Sequence, residues 1–458
     1  MSKVKEYSWM TKDKLMTYTF IALLVLAVVT IVLWWDVQAL DVMTLEPIGM
    51  QYGLTVLINC LIAVGIAVGI DALLYKVASD SPLNLMSAAV FGLIVSLSYT
   101  IGEPVMRVAE IAPLFGPDAF AYVALITVIG MVVFKKIQAA RKYVNPAAAA
   151  KLVVLGFAGL FTLLLPGDHL VTGGLAVPSL AGPVGYDVIG GNGAAGFGFY
   201  LLGCFANPAA PLPTTTPTQS DIFNLLIVNK FHSWAGGASA LAVIIVGIAL
   251  FVLARRYIKW RITGTYFATI AIMSVILNYA YPGGDLLLRL GFEMFIGSSI
   301  FLAFFMATDP ASTPLTYTGQ AIFGVGLGVL TVLIQTYMGF FGGSILALVI
   351  MNLTSPFLDR VGKLKPIAEK KEPKLPKAKQ FAKAKTYECI RCGACMRVCC
   401  HKLSPILIKQ AFDKNDVAKL SNLQADLCDG CGHCSFVCPS RIDLKGSVLR
   451  SKALLRKK

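Results

Sequence analysis

The chain has 458 residues, of which 56% are hydrophobic, and a formal net charge of +15. So apolar a composition excludes a wholly soluble protein of this size and indicates that most of the chain lies in a membrane. Residues 1–359 balance to zero charge, so the whole excess lies on the segment from Arg360 onward. Without a recognised nucleic-acid module, this basic segment predicts anionic membrane lipid and acidic redox proteins as partners, and no nucleic acid.

Three segments follow from changes in composition. The apolar residues end near Leu358, and nine of the 11 Cys lie beyond that point. We therefore predict a membrane domain over 1–359, a Lys-, Pro- and Ala-rich linker over 360–385 and a Cys-rich domain over 386–458. Such a linker is typical of an extended tether, with a reach of roughly 80 Å when fully stretched. It would let the last domain swing.

Ten segments are apolar enough to be membrane spans, each of which needs about 20 residues. The predicted fold of this part is therefore an all-α polytopic membrane protein of about ten transmembrane helices. The third and last segments are short and contain Gly or Ser, which indicates broken or half helices. The ten segments are 15–35, 53–75, 81–99, 117–134, 147–165, 236–254, 262–281, 290–308, 319–338 and 341–358.

Groups of Lys and Arg predict the orientation, because such residues mark cytoplasmic loops. They precede the first span and follow the fourth and sixth spans, whereas the long loop 166–235 contains a single Lys, Lys230. We therefore expect a multi-pass protein of the cytoplasmic (inner) membrane with both termini in the cytoplasm and the loop 166–235 outside.

The last domain contains two Cys runs of identical spacing, Cys-x-x-Cys-x-x-Cys-x-x-x-Cys, and Pro439 follows the second run. In a bacterial-type ferredoxin the first three Cys of a run hold one [4Fe-4S] cluster and the fourth holds the other cluster. The spacing therefore predicts an α+β ferredoxin domain with two clusters. One is held by Cys389, Cys392, Cys395 and Cys438, and the other by Cys428, Cys431, Cys434 and Cys399.

Structural zinc sites are the main alternative, because they also use Cys-x-x-Cys pairs. The third Cys in register and the distant fourth, both present twice, favour clusters over zinc. Cys400 stands where the other run has Pro439, one residue out of register, and is expected to be a non-ligand thiol. His401 and His433 flank the clusters and are expected to tune a potential or to face solvent.

Four charged residues lie in or beside apolar spans, where an unpaired charge costs about 3 kcal/mol. They are Asp71, Lys151, Glu293 and Asp309. Lys151 is expected to extend to the inner surface, and Glu293 to pair with Arg289 four residues earlier. Asp309 is different, because it lies between Thr308 and Pro310 at a helix end, and it is a candidate site residue.

Several strings resemble the RnfD/NqrB family, the membrane flavoprotein subunits of ion-translocating electron-transport complexes. The resemblance lies in 143–147 (YVNPA), 307–313 (ATDPAST) leading into 322–328 (IFGVGLG), and 348–353 (LVIMNL). The tail, in 388–393 (ECIRCG) and 434–439 (CSFVCP), looks like the C-terminal ferredoxin region of the companion RnfC subunit. The resemblance implies a fusion of the two.

The resemblance also implies flavin. In the family, a Thr in an outer loop holds FMN through a phosphoester bond, and the best match in this chain is Thr216, in the string TTTP over 214–217. The family's preceding Ser-Gly-Ala is absent, so Thr215 and Thr218 are alternatives. Covalent FMN, a second non-covalent flavin, a cofactor-binding role for Asp309 and a flavin transferase as partner are what the family implies.

Together these features predict a membrane electron-transfer subunit of an Rnf- or Nqr-like complex. Electrons from a cytoplasmic donor, such as ferredoxin or a flavoprotein dehydrogenase, would pass through two clusters to flavin, with coupling to Na⁺ or H⁺ translocation. No Gly-rich nucleotide-binding loop stands out, which favours a subunit of an ion-translocating oxidoreductase, beside other membrane subunits, over a complete enzyme. The alternatives are a permease-like transporter with a redox-sensing or docking tail, and an enzyme that reduces a quinone alone.

Overall fold

The structure is a computed structural model, and nearly all of the regular structure that it describes is helical. One antiparallel pairing joins β1 (Ala39–Leu40) to β2 (Pro47–Ile48). The described residues are 10–35, 39–40, 47–48, 50–77, 84–99, 117–137, 144–156, 227–228, 234–280, 286–295, 299–338, 343–361 and 386–456.

The membrane region contains eleven helices among the described residues. Two of them continue as π-helical segments: α4 continues as Gly130–Ile137 and α9 as Leu302–Met306. The helices are α1 (Lys12–Leu33), α2 (Tyr52–Val77), α3 (Leu85–Leu97), α4 (Pro117–Ile129), α5 (Pro146–Gly156), α6 (Ala240–Leu253), α7 (Trp260–Ala280), α8 (Leu286–Phe295), α9 (Ser299–Phe301), α10 (Tyr317–Met338) and α11 (Gly343–Val361).

Five of these helices, α1, α2, α7, α10 and α11, are long and apolar enough to cross a membrane. The third predicted span is short, because the 13 residues of α3 rise only about 20 Å. The last predicted span is not a half helix, because α11 continues for 19 residues. Instead, the eighth predicted span contains two helices, α8 and α9.

Small residues allow the helices of the membrane region to approach closely. A Cβ atom on Gly92 of α3 would lie 2.7 Å from the carbonyl oxygen of Ala63 in α2. A Cβ atom on Gly324 of α10 would lie 2.6 Å from the carbonyl oxygen of Ile262 in α7. Neither contact leaves room for a side chain, as is common where membrane helices pack backbone to backbone.

The tail is also helical. Its described residues, 386–456, contain no strand, so this part lacks the strands expected of an α+β domain. The segment between the two Cys runs instead folds as helices, because Pro405 starts a helix and Ile408 and Ala411 bury its apolar face. The helices are α12 (Ala394–Arg397), α13 (Pro405–Asp413), α14 (Val417–Asn422), α15 (His433–Phe436) and α16 (Leu444–Arg456).

The tail packs on one end of the membrane region rather than standing apart from it. The backbone N–H of Lys12 donates to the carbonyl of Pro439 at 3.0 Å. An apolar cluster joins the two parts, so the described tail does not swing freely as the linker composition predicts. Its buried members are Met10, Leu15, Ala254 and Tyr257 from the membrane region and Ile390, Cys392, Ala394, Val398 and Val437 from the tail.

Candidate functional site

The two Cys runs share one backbone conformation. In each run, the residue before the second Cys and the Gly after it have left-handed φ angles: 53° at Arg391 and 71° at Gly393, then 76° at Gly430 and 78° at Gly432. Left-handed backbone turns successive N–H groups towards one side of the chain. Both runs are therefore shaped as loops around a central point.

Backbone N–H groups donate to the sulfur atoms at matching places in both runs. One donor lies two residues after the first Cys, and another lies four residues after the fourth Cys. Such N–H to sulfur hydrogen bonds stabilise thiolates and raise the potential of a bound cluster. The bonds are Arg391 N to Cys389 Sγ (3.3 Å), Gly430 N to Cys428 Sγ (3.4 Å), Leu403 N to Cys399 Sγ (3.3 Å) and Ile442 N to Cys438 Sγ (3.4 Å).

The thiols form two groups, with the fourth Cys of each run beside the other run. Burial raises the pKa of Cys438 to about 12, and the thiols of Cys392 and Cys389 raise it further. Burial likewise raises the pKa of Cys434 to about 12, with Cys399 as the strongest neighbouring thiol. Thiols crowded in this way favour a bound metal cation, which replaces their protons.

We call Cys389, Cys392, Cys395 and Cys438 the inner set, and Cys399, Cys428, Cys431 and Cys434 the outer set. These are the two sets predicted from the spacing, and their ligation of clusters stays a prediction. The sets differ in exposure. Three of the four inner thiols are buried, whereas Cys431 of the outer set is exposed and Cys428 and Cys399 are partly exposed.

Cys400 lies beside the outer set. Its Sγ is 3.8 Å from the Sγ of Cys431 and 3.3 Å from Nδ1 of His433. Their ligand atoms all lie within 4.8 Å of one another, a spacing that suits a metal such as zinc. Since Cys431 belongs to the outer set, a metal bound by Cys400, Cys431 and His433 would need a thiol that the outer set also needs. His401 lies nearby, with Nε2 3.6 Å from Oδ2 of Asp429.

A buried ion pair joins the tail to the membrane region. Nη2 of Arg391 lies 3.1 Å from Oδ2 of Asp359, and both side chains are at least 93% buried. Oδ1 of Asp359 accepts a hydrogen bond from the backbone N–H of Leu315 at 2.7 Å. Sequence reasoning missed this pair. The one available signal was the carboxylate in the last turn of α11, where the helix dipole disfavours an anion without a partner.

Residues 309–316, which we call the Asp309 loop, lie directly under the inner set. Leu315 packs with Cys395 and Cys438 in one buried cluster. A Cβ atom on Gly393 would lie 3.3 Å from the carbonyl oxygen of Leu315, so the backbones nearly touch. The inner set is therefore in van der Waals contact with the membrane region through this loop.

The carboxylate of Asp309 holds the loop that bears it. Its Oδ1 accepts from the backbone N–H of Ala311 at 3.3 Å, and its Oδ2 accepts from the hydroxyl of Ser312 at 2.9 Å. The hydroxyl of Thr313 donates back to the carbonyl of Asp309 at 2.6 Å. Asp309 thus fixes the shape of the loop, as Asp commonly does in turns.

Lys259 supports the same loop from the side. Its ammonium donates to the carbonyls of Pro310 and Thr313, both at 2.9 Å. Burial is the main cause that lowers the pKa of Lys259 to about 7, and Arg391 lowers it further. Asp359 and Cys392 are among the groups that act in the opposite direction. The protonation of the buried Lys259 side chain therefore depends on the charge at the inner set.

A cavity lies on the membrane side of the Asp309 loop. It holds about 900 Å³ of empty space, its open mouth included. Both π-helical segments contribute to its walls, which is typical of functional sites. Its apolar and aromatic lining includes Phe91, Tyr257 and Phe304, and its polar lining includes Ser87, Lys135, Asn145, Thr308 and Asp309.

Asn145, in one family-like string, contacts the residue directly before another at this cavity. Its Nδ2 donates to the carbonyl of Met306 at 3.3 Å. Its Oδ1 accepts from the backbone N–H of Ala147 at 3.1 Å and caps α5. Residues 145–147 and 308–310, from two family-like strings far apart in sequence, both line the cavity.

Comparison with known proteins identifies the family of the membrane region. The sequence profile of the NQR2, RnfD, RnfE family matches residues 7–368. The chain belongs to this family. The match includes the Asp309 loop and ends before the first Cys run, so the likeness of the tail to RnfC stays a prediction.

Three relatives illustrate the likeness. The chain is 35% identical over 147 residues to the D subunit of the Na(+)-translocating ferredoxin:NAD(+) oxidoreductase complex of Acetobacterium woodii (32% of this chain, 42% of the relative). It is 32% identical over 121 residues to the D subunit of the ion-translocating oxidoreductase complex of Halorhodospira halophila (26% and 33%). It is 27% identical over 319 residues to the protein of the same name from Shewanella amazonensis (67% and 85%).

In the first two comparisons the chain spans less than half of the relative's length. All three relatives are named as subunits of ion-translocating oxidoreductase complexes. The prediction of a subunit, rather than a complete enzyme, agrees with those names.

The Thr predicted to bear FMN falls outside the described residues. Thr216 and its alternatives, Thr215 and Thr218, all lie there.

Lys151 is described, and it is buried rather than extended to the surface. Its ammonium donates to the carbonyl of Ser98 and lies 4.7 Å from the ring centre of Trp234.

Proposed function

We propose that this protein is the membrane electron-transfer subunit of an ion-translocating oxidoreductase complex of the Rnf/Nqr kind. Two [4Fe-4S] clusters in the C-terminal domain would pass single electrons to flavin in the membrane region. One observation carries this proposal: the Asp309 loop contacts the inner set on one side and lines the cavity on the other. A single short loop thus separates the candidate electron donor from the candidate acceptor site.

The chain's own residues fit the two clusters. Each set supplies four thiols, the number that a cubane cluster needs, and backbone N–H donors point at its sulfur atoms. A zinc pair would use the same thiols without redox chemistry. The relatives, which are named as subunits of oxidoreductase complexes, favour the clusters.

The difference in exposure suggests a direction for the electrons. The outer set, with Cys431 exposed, suits contact with a soluble donor, and the inner set suits transfer to the membrane region. The segment from Arg360 onward carries the whole +15 excess of charge. A basic domain would attract an acidic donor, such as ferredoxin or a flavoprotein dehydrogenase.

The cavity suits a non-covalent flavin. A flat, amphipathic ring system needs aromatic and apolar walls with a few polar groups at its edge, and the cavity offers both. Because the carboxylate of Asp309 is used within its own loop, we assign Asp309 the role of shaping the cavity wall. Lys135 supplies a cation to the lining of the cavity.

The covalent flavin, the topology and the ion coupling are inferred from the sequence and the family. A covalent FMN on Thr216, or on Thr215 or Thr218, would lie in the outer loop after attachment by a flavin transferase. About ten spans would place both termini in the cytoplasm, beside the other membrane subunits. Electron flow between these centres would drive translocation of Na⁺ or H⁺.

The test of the electron path uses the complete complex, purified anaerobically. About eight irons per chain are expected, and reduced ferredoxin should reduce the flavin within one turnover. The relevant measurement is stopped-flow absorbance of the clusters and the flavin in the same sample. A chain that contains zinc in place of iron, or clusters that never reduce a flavin, would favour the permease-like alternative.

A separate test concerns the covalent flavin. Coexpressed with a flavin transferase, the chain should fluoresce under ultraviolet light on a denaturing gel, and Thr216→Val should abolish this signal. Thr215→Val and Thr218→Val are the matched controls. Loss of the signal in one of these instead would move the attachment to that residue, and no signal in the unaltered chain would remove covalent FMN from the proposal.

A further inference from the structure

A second concave surface, which we call the basic groove, lies between the two parts of the chain. It runs between the turn that joins α6 to α7 and helix α12 of the tail, and it holds about 1150 Å³ of empty space, its open mouth included. No acidic residue is among its described lining residues. The lining contains five cations and two aromatic rings: Arg255, Arg256, Lys259, Arg261, Arg397, Trp260 and Tyr317.

Several of these cations have no anionic partner among the described residues. Nη1 of Arg256 and Nη2 of Arg397 are buried and have no hydrogen-bond partner there. Leaving a buried charged donor unpaired is costly. A nearby anion would offset that cost and the concentrated positive charge of the groove.

The cations also come from both sides of the contact between tail and membrane region. The guanidinium carbon of Arg261 lies 3.6 Å from the ring centre of Tyr317, and that of Arg397 lies 6.0 Å from the same centre. Two like charges that share one ring repel each other. An anion in the groove that both residues line would turn this repulsion into an attraction that holds the tail in place.

The groove opens at the level expected for lipid headgroups. The last residues of α6, Val252 and Leu253, expose 71% and 60% of their surface, as lipid-facing residues do. Arg255 and Arg256 follow directly, and Trp260 at the start of α7 is 46% exposed. Apolar helix ends followed by Arg and Trp mark the membrane–water interface.

We propose that the basic groove binds the phosphate headgroup of an anionic phospholipid, and that this lipid links the tail to the membrane region. Arginine pairs with phosphate oxygens through two parallel hydrogen bonds, and four arginines line the groove. A soluble phosphate compound offers the same oxygens. The position of the groove beside lipid-facing helix ends favours the lipid.

The test is native mass spectrometry of the full chain released from nanodiscs of phosphatidylcholine with one fifth phosphatidylglycerol or cardiolipin. The chain should retain the anionic lipid over phosphatidylcholine. Arg256→Gln and Arg397→Gln should each reduce this preference at least fivefold. Arg450→Gln is the matched control, because Arg450 is an exposed Arg of the tail outside the groove and should leave the preference unchanged.

Using two groove variants also helps to separate loss of lipid binding from misfolding, because one substitution lies in the membrane region and the other in the tail. Unchanged iron content and helical circular dichroism would show that each variant is folded. Equal retention of both lipids by the parent chain, or unchanged retention in folded groove variants, would overturn the proposal. Displacement of the lipid by millimolar pyrophosphate, with no preference between lipids, would assign the groove to a soluble phosphate compound and overturn it as well.

A second readout follows the docking of the tail. In nanodiscs of phosphatidylcholine alone, amide hydrogen exchange over residues 390–398 should be faster than with anionic lipid, because the repulsion between Arg261 and Arg397 is then uncompensated. Arg397→Gln should remove this dependence on lipid. Exchange rates that ignore lipid charge in the unaltered chain would contradict the linking role.

Discussion

The inner and outer sets share a backbone and differ in what surrounds them. Where the second run has Gly430 in a left-handed conformation, the first run has Arg391 with a φ of 53°. Such a conformation costs an ordinary residue about 1–2 kcal/mol. In the first run that cost accompanies the buried ion pair with Asp359. The identical spacing of the two runs thus accompanies the same loop conformation in both. The loop with Arg391 in place of Gly is the one that packs against the membrane region.

The largest expected effect comes from removing a thiol that crosses between the runs. Cys438→Ser should remove the cluster of the inner set, and Cys399→Ser that of the outer set, so that iron falls from about eight to about four per chain in each variant. The measurement is iron analysis with electron paramagnetic resonance of the reduced protein. Transfer to flavin should cease in both variants.

Cys400→Ser is the matched control for this experiment, and both clusters should remain. The proximity of Cys400 to Cys431 makes the control informative. Loss of a cluster from Cys400→Ser, with Cys399→Ser unaffected, would move the fourth ligand of the outer set by one residue.

The next effect separates docking from cluster binding. Asp359→Asn leaves Arg391 buried without its counter-charge, which costs about 3–5 kcal/mol when one partner of a buried pair is lost. We expect transfer from the inner set to flavin to slow at least tenfold while the iron content stays unchanged. Stopped-flow reduction of flavin beside iron analysis measures both quantities.

Lys409→Gln is the control, because it removes an exposed ion pair, with Asp413, on the same domain. An exposed pair four residues apart contributes about 0.3–0.5 kcal/mol, so transfer should be unaffected. Equal slowing by both substitutions would mean that general loss of charge, and not the buried pair, controls the transfer.

A smaller effect concerns the potential of the inner cluster. Removing a nearby cation disfavours the more negative, reduced cluster, so Lys259→Met should lower its potential by on the order of tens of millivolts. The outer cluster should not shift. Redox titration followed by paramagnetic resonance resolves the two clusters, and a shift of the outer cluster alone would reverse the assignment of inner and outer.

The same residue predicts a pH dependence. The pKa of Lys259 is lowered from 10.5 to about 7, and an anionic cluster raises it again within that window. Loss of the proton removes a positive charge, so the inner potential should fall as pH rises between about 7 and 10.5. In Lys259→Met this slope should vanish. A slope that survives the substitution would belong to another group.

The smallest effect concerns the left-handed Gly430 of the second run. Gly430→Ala should destabilise the domain by about 1 kcal/mol through backbone strain alone, because a Cβ atom there would meet its nearest neighbour, a Leu449 methyl, at 3.5 Å. Thermal loss of cluster absorbance measures this change. Gly264→Ala is the control, since Gly264 has open space and ordinary φ, and an equal loss there would discount the strain.

Local patterns in the sequence predicted the features that depend on local residues. The spacing of the Cys runs predicts two ligand sets, which stay a prediction. Hydropathy located helical residues in each predicted span, although only five described helices are long and apolar enough to cross a membrane. Composition failed for α11, because its Gly343 and Ser344 lie at the start of the helix, where they do not break it. The α+β fold predicted from the Cys spacing has no strand among the described residues of the tail, where helices occupy the segment between the runs.

Contacts between distant segments could not be predicted from local patterns. Asp359 pairs with Arg391 across 32 residues, and Lys259 holds carbonyls more than 50 residues away. The basic groove likewise takes cations from two parts of the chain. The unfavourable position of Asp359 in the last turn of α11 indicates a missing partner, but it does not say which residue that partner is.

The burial of the inner set has a consequence for the biogenesis of the protein. A carrier that delivers iron-sulfur clusters needs direct access to the acceptor thiols, and the seated domain covers Cys392 and Cys395. Insertion of the proposed cluster of the inner set would therefore precede seating. During maturation, the tail would then pack against the membrane region only after the inner set has bound its cluster.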